Sequence, residues 1–286
     1  MKQLFKSKYP IVCAPMNGVS DLKLAVACYS AGIVPSFIPY NYKDFKEFFI
    51  AFNEYKIKTN GDVIVALRLN EVIDDRLHNK LTTLGITHIE LLEFTESLLT
   101  DDAINKIKLI RNSGIKIILK ILSHSDIAPY ISIIDIITIK GPEAAGRSED
   151  IDLISEIKSI RLQYPDLKII ASGGIKNNTD IQKYMSAGAN AVSIGTLFAM
   201  SKESSIPDTV KDKLLQSNSN DIRRLKMGAR QRAVVFNEHG DDDFNNTVGL
   251  YSGLRTGNSG HIFIGNAIDS ITEMLSVQEI VDHLVS

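Results

Sequence analysis

Asp101-Asp102-Ala103-Ile104-Asn105-Lys106-Ile107-Lys108-Leu109-Ile110-Arg111-Asn112-Ser113-Gly114-Ile115-Lys116-Ile117-Ile118-Leu119-Lys120-Ile121-Leu122 reads as two elements joined by one glycine. The first part opens on two acids and repeats apolar residues at Ile104, Ile107, Leu109 and Ile110, a helical period. Gly114 stands where a helix ends, and glycine takes the left-handed conformation there without a Cβ penalty. Ile115 to Leu122 is a short, nearly all-apolar run, which suits a strand buried on both faces of a parallel sheet. The same junction recurs as Ala31-Gly32-Ile33, Leu84-Gly85-Ile86 and Ala187-Gly188-Ala189. Similar runs stand at Tyr9–Cys13, Ile33–Ile38, Val63–Leu69, Ile86–Leu92, Ile133–Lys140, Leu167–Ala171 and Ala191–Ile194.

Helical patterns fill the intervals. They cover Asp21–Ser30, Asp44–Tyr55 (with Phe45, Phe48, Phe49 and Phe52), Asp150–Leu162 and Thr179–Ser186, with Asp150 as an acidic start and Asn178 or Thr179 as a cap. Ser125–Ser132 reads as short or irregular. Strand runs alternating with helices predict an α/β fold, a (β/α)8 TIM barrel. The rival is a doubly wound open sheet, disfavoured because no G-x-G-x-x-G follows the first strand.

The barrel is expected to occupy residues 1–200. Residues 201–286 then form a C-terminal helical and loop segment. Lys202–Gln216 is polar, Asn237–Gly260 is rich in Asn, Asp and Gly, and Ser270–Leu284 reads as an amphipathic helix. We read this tail as a lid or interface packed on the barrel, an arrangement that allows a homodimer.

Composition excludes several classes. At 44% hydrophobic and 23% charged residues the chain is ordinary globular material, not a disordered one. A net charge of −2 gives no drive toward a phosphate backbone, so no nucleic-acid partner is expected. Cys13 and Cys28 are the only cysteines, which rules out a disulfide scaffold and fits a reducing cytoplasm. No apolar run approaches the ~18 residues of a membrane span, and no signal-peptide pattern opens the chain.

In a barrel, function sits at the C-terminal ends of the strands. The first run delivers Ala14-Pro15-Met16-Asn17-Gly18, and the fifth delivers Lys120, Ser123 and His124. The sixth delivers Lys140-Gly141-Pro142-Glu143-Ala144-Ala145-Gly146-Arg147. The last two deliver Ser172-Gly173-Gly174-Ile175 and Gly195-Thr196. Small residues at the ends of two adjacent strands let backbone N–H groups approach a phosphate, a reading favoured over plain tight turns because both strands supply the pattern together.

Pro10 to Ser20, Gly141 to Gly146, Ala171 to Ile175 and Ile194-Gly195-Thr196-Leu197-Phe198, taken in that order, resemble the nitronate monooxygenase (2-nitropropane dioxygenase-like) family. That family includes flavin enoyl-ACP reductases and related enoyl reductases of polyketide synthesis. The similarity runs from about Lys8 to Glu203, and more loosely through Gly228-Ala229-Arg230 and the closing helix. It implies FMN held non-covalently in a TIM barrel. Ala14 and Met16 would line the isoalloxazine, Ala145 would sit beside it, and Lys120 would face its pyrimidine edge and stabilise negative charge there. Ser172, Gly173, Gly174, Gly195 and Thr196 would hold the phosphate. For Lys120 the plain alternative is an ion pair inside the barrel.

Two departures from the family pattern stand out. Ala66-Leu67-Arg68 replaces a turn that commonly carries Asn, and Arg147 replaces a histidine. Histidine exchanges protons near neutral pH, whereas arginine stays protonated. Position 147 therefore offers no base for a neutral nitroalkane. Arg147 is expected to bind an anionic substrate or a developing nitronate or enolate, unless it only pairs with Glu143, Glu149 or Asp150. Lys120 and Arg147 are the catalytic candidates.

Other residues carry less. His124 reads as a surface or capping residue. His78, His88, His239, His261 and His283 lack ligand spacing, and Asp241-Asp242-Asp243 reads as a solvated loop, so no metal is expected. Cys13 reads as a buried small residue, and Tyr40 and Tyr42 as pocket-shaping or packing residues. The alternatives to a nitronate-oxidising enzyme are an enoyl reductase using NADH or NADPH and docking an acyl-carrier protein, and a non-catalytic FMN binder. A tRNA dihydrouridine synthase, which resembles Ala14–Asp21, is disfavoured because its Asn-x-Gly-Cys-Pro turn is missing.

Overall fold

The computed structural model describes residues 4–68, 71, 80, 81, 83–92, 100–227, 231–236 and 262–286. Its centre is an eight-stranded sheet built from β1 (Ile11–Cys13), β2 (Ser36–Phe37), β3 (Ile64–Leu67), β4 (His88–Leu91), β5 (Lys116–Ile121), β6 (Ile136–Lys140), β8 (Lys168–Ser172) and β9 (Ala191–Ile194). The strand β7 (Gly146–Glu149) follows β6 in the chain but lies outside that sheet. The spatial order is β1-β9-β8-β6-β5-β4-β3-β2, all parallel. A parallel bridge from Val12 to Val34 joins the two ends, with Cys13 N donating to Val34 O at 2.9 Å and Val34 N to Ile11 O at 2.9 Å. This closes the TIM barrel: seven of the eight apolar runs contain one of its strands, and the eighth, Leu167–Ala171, holds all of β8 but its last residue, Ser172.

The four junction glycines, Gly32, Gly85, Gly114 and Gly188, all have positive φ, as the helix-to-strand reading requires. Among the described residues the barrel helices with both ends given are α1 (Leu22–Ser30), α2 (Phe45–Lys58), α3 (Asp101–Asn112), α4 (Leu153–Gln163) and α5 (Asn178–Ala187). Asp21, Asp44 and Thr100 cap the first three by accepting backbone N–H bonds. Two starts differ from expectation. Asp152, not Asp150, caps α4, and Asn177, not Asn178 or Thr179, caps α5, because these side chains reach the first free N–H groups. Ser125–Ser132 is irregular as expected, falling in two short 3-10 turns.

The outer core lies between sheet and helices. Phe48, Phe52 and Tyr55 of α2 are fully buried against Phe37 of β2, with ring centroids 5.3–6.3 Å from it. Each such ring contributes roughly 1.5–3 kcal/mol by leaving water. The inner core is smaller. Val12, Val34, Ile64, Ile118, Ile136, Ile170 and Ala191 fill the barrel with Phe5. Side chains alternate across a strand, so the residues two positions on also face inward. They are Ala14, Ser36, Ala66, Lys120, Thr138, Ser172 and Ser193. The barrel interior thus turns from apolar at its base to polar toward the C-terminal strand ends.

The tail differs from the expected helices. After α6 (Thr196–Ala199) and α7 (Asp208–Leu215) come two strands, β10 (Ile222–Met227) and β11 (Gln231–Phe236). They form an antiparallel sheet in the order β10-β11-β7, with Ala233 opposite Arg147. The expected helix over Ser270–Leu284 shrinks to α8 (Val277–Val285), because Ser276 and Glu279 form a capping box that fixes its start. Gly228-Ala229-Arg230, all of Asn237–Gly260 with Asp241-Asp242-Asp243 and His239, and also His78 and His261 lie outside the described residues. Among the described residues no helix is long and apolar enough to cross a membrane.

Candidate functional site

The C-terminal ends of the strands open into a cavity of about 270 Å³. Ala14, Met16, Lys120, Ala145, Arg147, Ser172, Gly173, Gly174, Gly195 and Thr196 all line it. The fold therefore brings the residues expected to line a flavin and hold its phosphate, together with Lys120 and Arg147, to one place. The barrel explains how: residues about 180 positions apart in sequence, such as Ala14 and Gly195, lie at the ends of the paired strands β1 and β9.

Several local devices fix the wall. The turn after β1 is tied down by Asn41, whose Nδ2 donates to Met16 O at 3.1 Å and Ser20 O at 3.0 Å, and whose Oδ1 accepts from Gly18 N at 2.7 Å. Met16 N donates to Ser20 Oγ at 2.8 Å. The tail crosses the same mouth, and Phe263 and Ala267 join the lining. Gly265 N donates to Thr196 Oγ1 at 3.0 Å, which anchors that crossing to the start of α6.

The glycine pair is built for close approach. Gly173 and Gly174 have φ of +126° and +67°. A Cβ at Gly173 would stand 3.1 Å from Ala144 N, and one at Gly174 would overlap the Glu143 carboxylate. Gly195 faces Met16 Sδ and the Ala14 Cβ, both on the cavity wall. Asn17 Oδ1, also on the wall, is buried without a hydrogen-bond partner. A bare backbone cradle, an orphaned acceptor and three cations suit a ligand with a phosphate and N–H groups.

Those cations are Lys120, Lys140 and Arg147. Lys120 Nζ lies 2.7 Å from Glu90 Oε2 of β4, and Thr138 Oγ1 of β6 donates to Glu90 Oε1 at 2.7 Å. The plain alternative for Lys120, an internal ion pair, is thus present, and Lys120 lines the cavity as well. Lys140 Nζ donates to Ala145 O at 2.7 Å. Burial first, then the nearby Lys120 and Arg147 charges against an opposing pull from Glu90, push the Lys140 ammonium down to about 7. Arg147 is exposed and sits on a paired strand rather than a turn, so β11 steadies its backbone. Asp150, one of its expected partners, lies 3.6 Å from Arg224.

Sequence reasoning missed Glu90, Thr138 and Lys140 as site residues. The signal was the period of two: Glu90, Lys120, Thr138 and Lys140 occupy inward positions of otherwise apolar strands. Tyr40 lines the cavity, with the Arg68 guanidinium 5.0 Å from its ring centroid, whereas Tyr42 packs elsewhere, 5.8 Å from Phe48. His124 lies outside the cavity and contacts Glu156 at 2.8 Å. Cys13 is buried in β1.

A family model described as nitronate monooxygenase matches residues 78–286. Among curated proteins, one from Mycobacterium tuberculosis described as a monooxygenase, Rv1533, is 28% identical over 93 residues, 32% of this chain and 25% of that protein. The match thus spans about a quarter of that curated relative. Among solved structures, FabK of Thermotoga maritima superposes with a TM-score of 0.84 at 20% identity, covering 98% of this chain and 92% of that one. The nitroalkane oxidase of Streptomyces ansochromogenes gives 0.80 at 18% identity, covering 98% and 95%. At these identities the two structures attest the shared fold.

Proposed function

This chain belongs to the nitronate monooxygenase family, and on that premise we propose that it is an FMN-dependent oxidoreductase acting on a small, anionic, nitronate-like substrate. The observation that carries the reading is the convergence of a glycine cradle and three basic side chains, Lys120, Lys140 and Arg147, on one cavity at the strand ends. Ser172, Gly173, Gly174, Gly195 and Thr196 would hold the phosphate. Ala14, Met16 and Ala145 would border the ring, and Asn17 Oδ1 offers an acceptor to an N–H at its edge. Bound there, FMN supplies the electron-transfer chemistry.

The protein's share is binding and electrostatics. Lys120 is held in place by Glu90 and presents a fixed positive charge where the flavin would carry negative charge. Arg147 presents a planar guanidinium at the mouth, suited to two oxygens of a nitronate or carboxylate. Phe263 and Ala267 line the same cavity, and their apolar side chains would limit water beside the ring.

The test is anaerobic mixing of the purified yellow protein with a nitronate, with NADH and with NADPH, followed at the flavin band. Bleaching by the nitronate alone is expected. Bleaching by a nicotinamide replaces the reading with an enoyl reductase, for which an acyl-carrier partner would then be sought. Flavin that no donor bleaches leaves a non-catalytic FMN binder.

A further inference from the structure

Arg147 can hold an anion but cannot take a proton. A neutral nitroalkane entering the proposed site needs another acceptor. We propose that Lys140 is the proton acceptor of this cavity, a catalytic residue that removes the α-proton of a neutral nitroalkane held against Arg147. The proposal rests on the functional reading above and extends its substrate class from nitronates to their neutral acids.

Position comes first. Lys140 is the last residue of β6 and lines the same cavity as Arg147. Its Nζ is held by the Ala145 carbonyl at 2.7 Å and lies 3.7 Å from where a Cβ on Gly146 would stand. It thus sits beside the turn that leads directly into Arg147. A neutral amine still donates an N–H to Ala145 O while its lone pair is available to substrate.

Charge comes second. Lys120 approaches from β5, Arg147 from β7, Glu90 from β4 behind Lys120, and Glu143 lines the cavity from the β6–β7 connection. Glu90 is engaged by Lys120 and Thr138. Among the described residues Lys140 is engaged by a carbonyl and by no carboxylate. Of the two lysines, it is therefore the one that yields its proton, and its titration near 7 matches a base working at neutral pH.

The step balances without a redox partner. The substrate C–H bond breaks, and an N–H bond forms on Lys140, which becomes an ammonium. The electron pair stays on the substrate and spreads onto the nitro oxygens, where Arg147 meets it. The product is the nitronate that the proposed oxidation consumes.

The test uses nitroethane and its pre-formed nitronate across pH 5.5–9, with the full chain, K140Q and K140R. Wild-type turnover of nitroethane should rise with pH to a plateau, with its midpoint near 7. In K140Q the ratio of nitroethane to nitronate turnover should fall about 100-fold, and K140R should not restore it. Independently, acetic anhydride labelling with peptide mapping should modify Lys140 at pH 7 ahead of exposed lysines, and R147M should move its labelling midpoint upward. A ratio that survives K140Q, or an ordinary lysine labelling profile, overturns the proposal. If nitronate is oxidised and the ratio survives, only the role of Lys140 fails. If neither substrate is oxidised, the functional reading fails and the proposal with it. Labelling of the wild-type chain decides the matter should K140Q not fold.

Discussion

Glu90 and Lys120 stand on neighbouring strands of the barrel and meet at 2.7 Å, with the glutamate side chain 2% exposed and the lysine 10%. Thr138, on the next strand, takes the other carboxylate oxygen. One buried negative charge is thereby compensated by one cation and one hydroxyl, which meets the requirement for burying an ion at all.

Breaking half of this pair should cost more than replacing all of it. K120M leaves Glu90 buried and uncompensated, and about 3–5 kcal/mol of stability should be lost. The double variant E90Q/K120M should recover most of that loss. Chemical denaturation of the four proteins of the cycle measures the coupling, and additive losses would contradict the arrangement.

Two glycine substitutions should separate backbone strain from loss of ligand. G174A places a side chain at φ +67° and against Glu143, so the fold should lose about 1–2 kcal/mol along with its flavin. At Gly195 an added Cβ meets Met16 Sδ at 3.6 Å, an ordinary contact. G195A should therefore lower flavin occupancy while thermal unfolding stays within about 2 °C of wild type. Absorbance ratios of purified protein and thermal unfolding read the two effects.

Removing the cation at the mouth should act on substrate affinity. R147M loses a charge-assisted pair of hydrogen bonds, worth about 10–100-fold in kcat/KM for a nitronate. R147K keeps the charge but not the planar fork, and should fall between the two. Steady-state kinetics in low and high salt check this. Equal kcat/KM for wild type and R147M would remove Arg147 from the site.

Acid should weaken the base of the barrel. His88 is buried beside Phe5, with ring centroids 4.9 Å apart, and its Nδ1 lies 2.9 Å from Thr87 Oγ1. Burial outweighs the pull of Asp62 and lowers it to about 4. The folded pKa lies below the unfolded value near 6.5, so the unfolded chain binds the proton first. The stability this site confers is present above pH 6.5 and is lost as pH falls toward 4. H88N should flatten that slope in urea denaturation between pH 4 and 7.

By itself the sequence determined the repeating unit and hence the barrel. Helical period, left-handed glycine and apolar β-branched run are local features, set by steric limits and by burial of each strand on both faces. The small-residue and cation motifs were legible for the same reason, since a barrel puts function at strand ends. Tertiary structure decided the rest. Glu90, Lys120 and Thr138 lie far apart in the chain, and only the strand register makes them a buried cluster. The pairing of β11 with β7, which turns the Arg147 turn into a strand, joins segments more than 80 residues apart and leaves no local pattern. Lys140 gained its titration near neutrality from desolvation and from the charges of Lys120 and Arg147, fields that exist only once the strands have closed around one cavity.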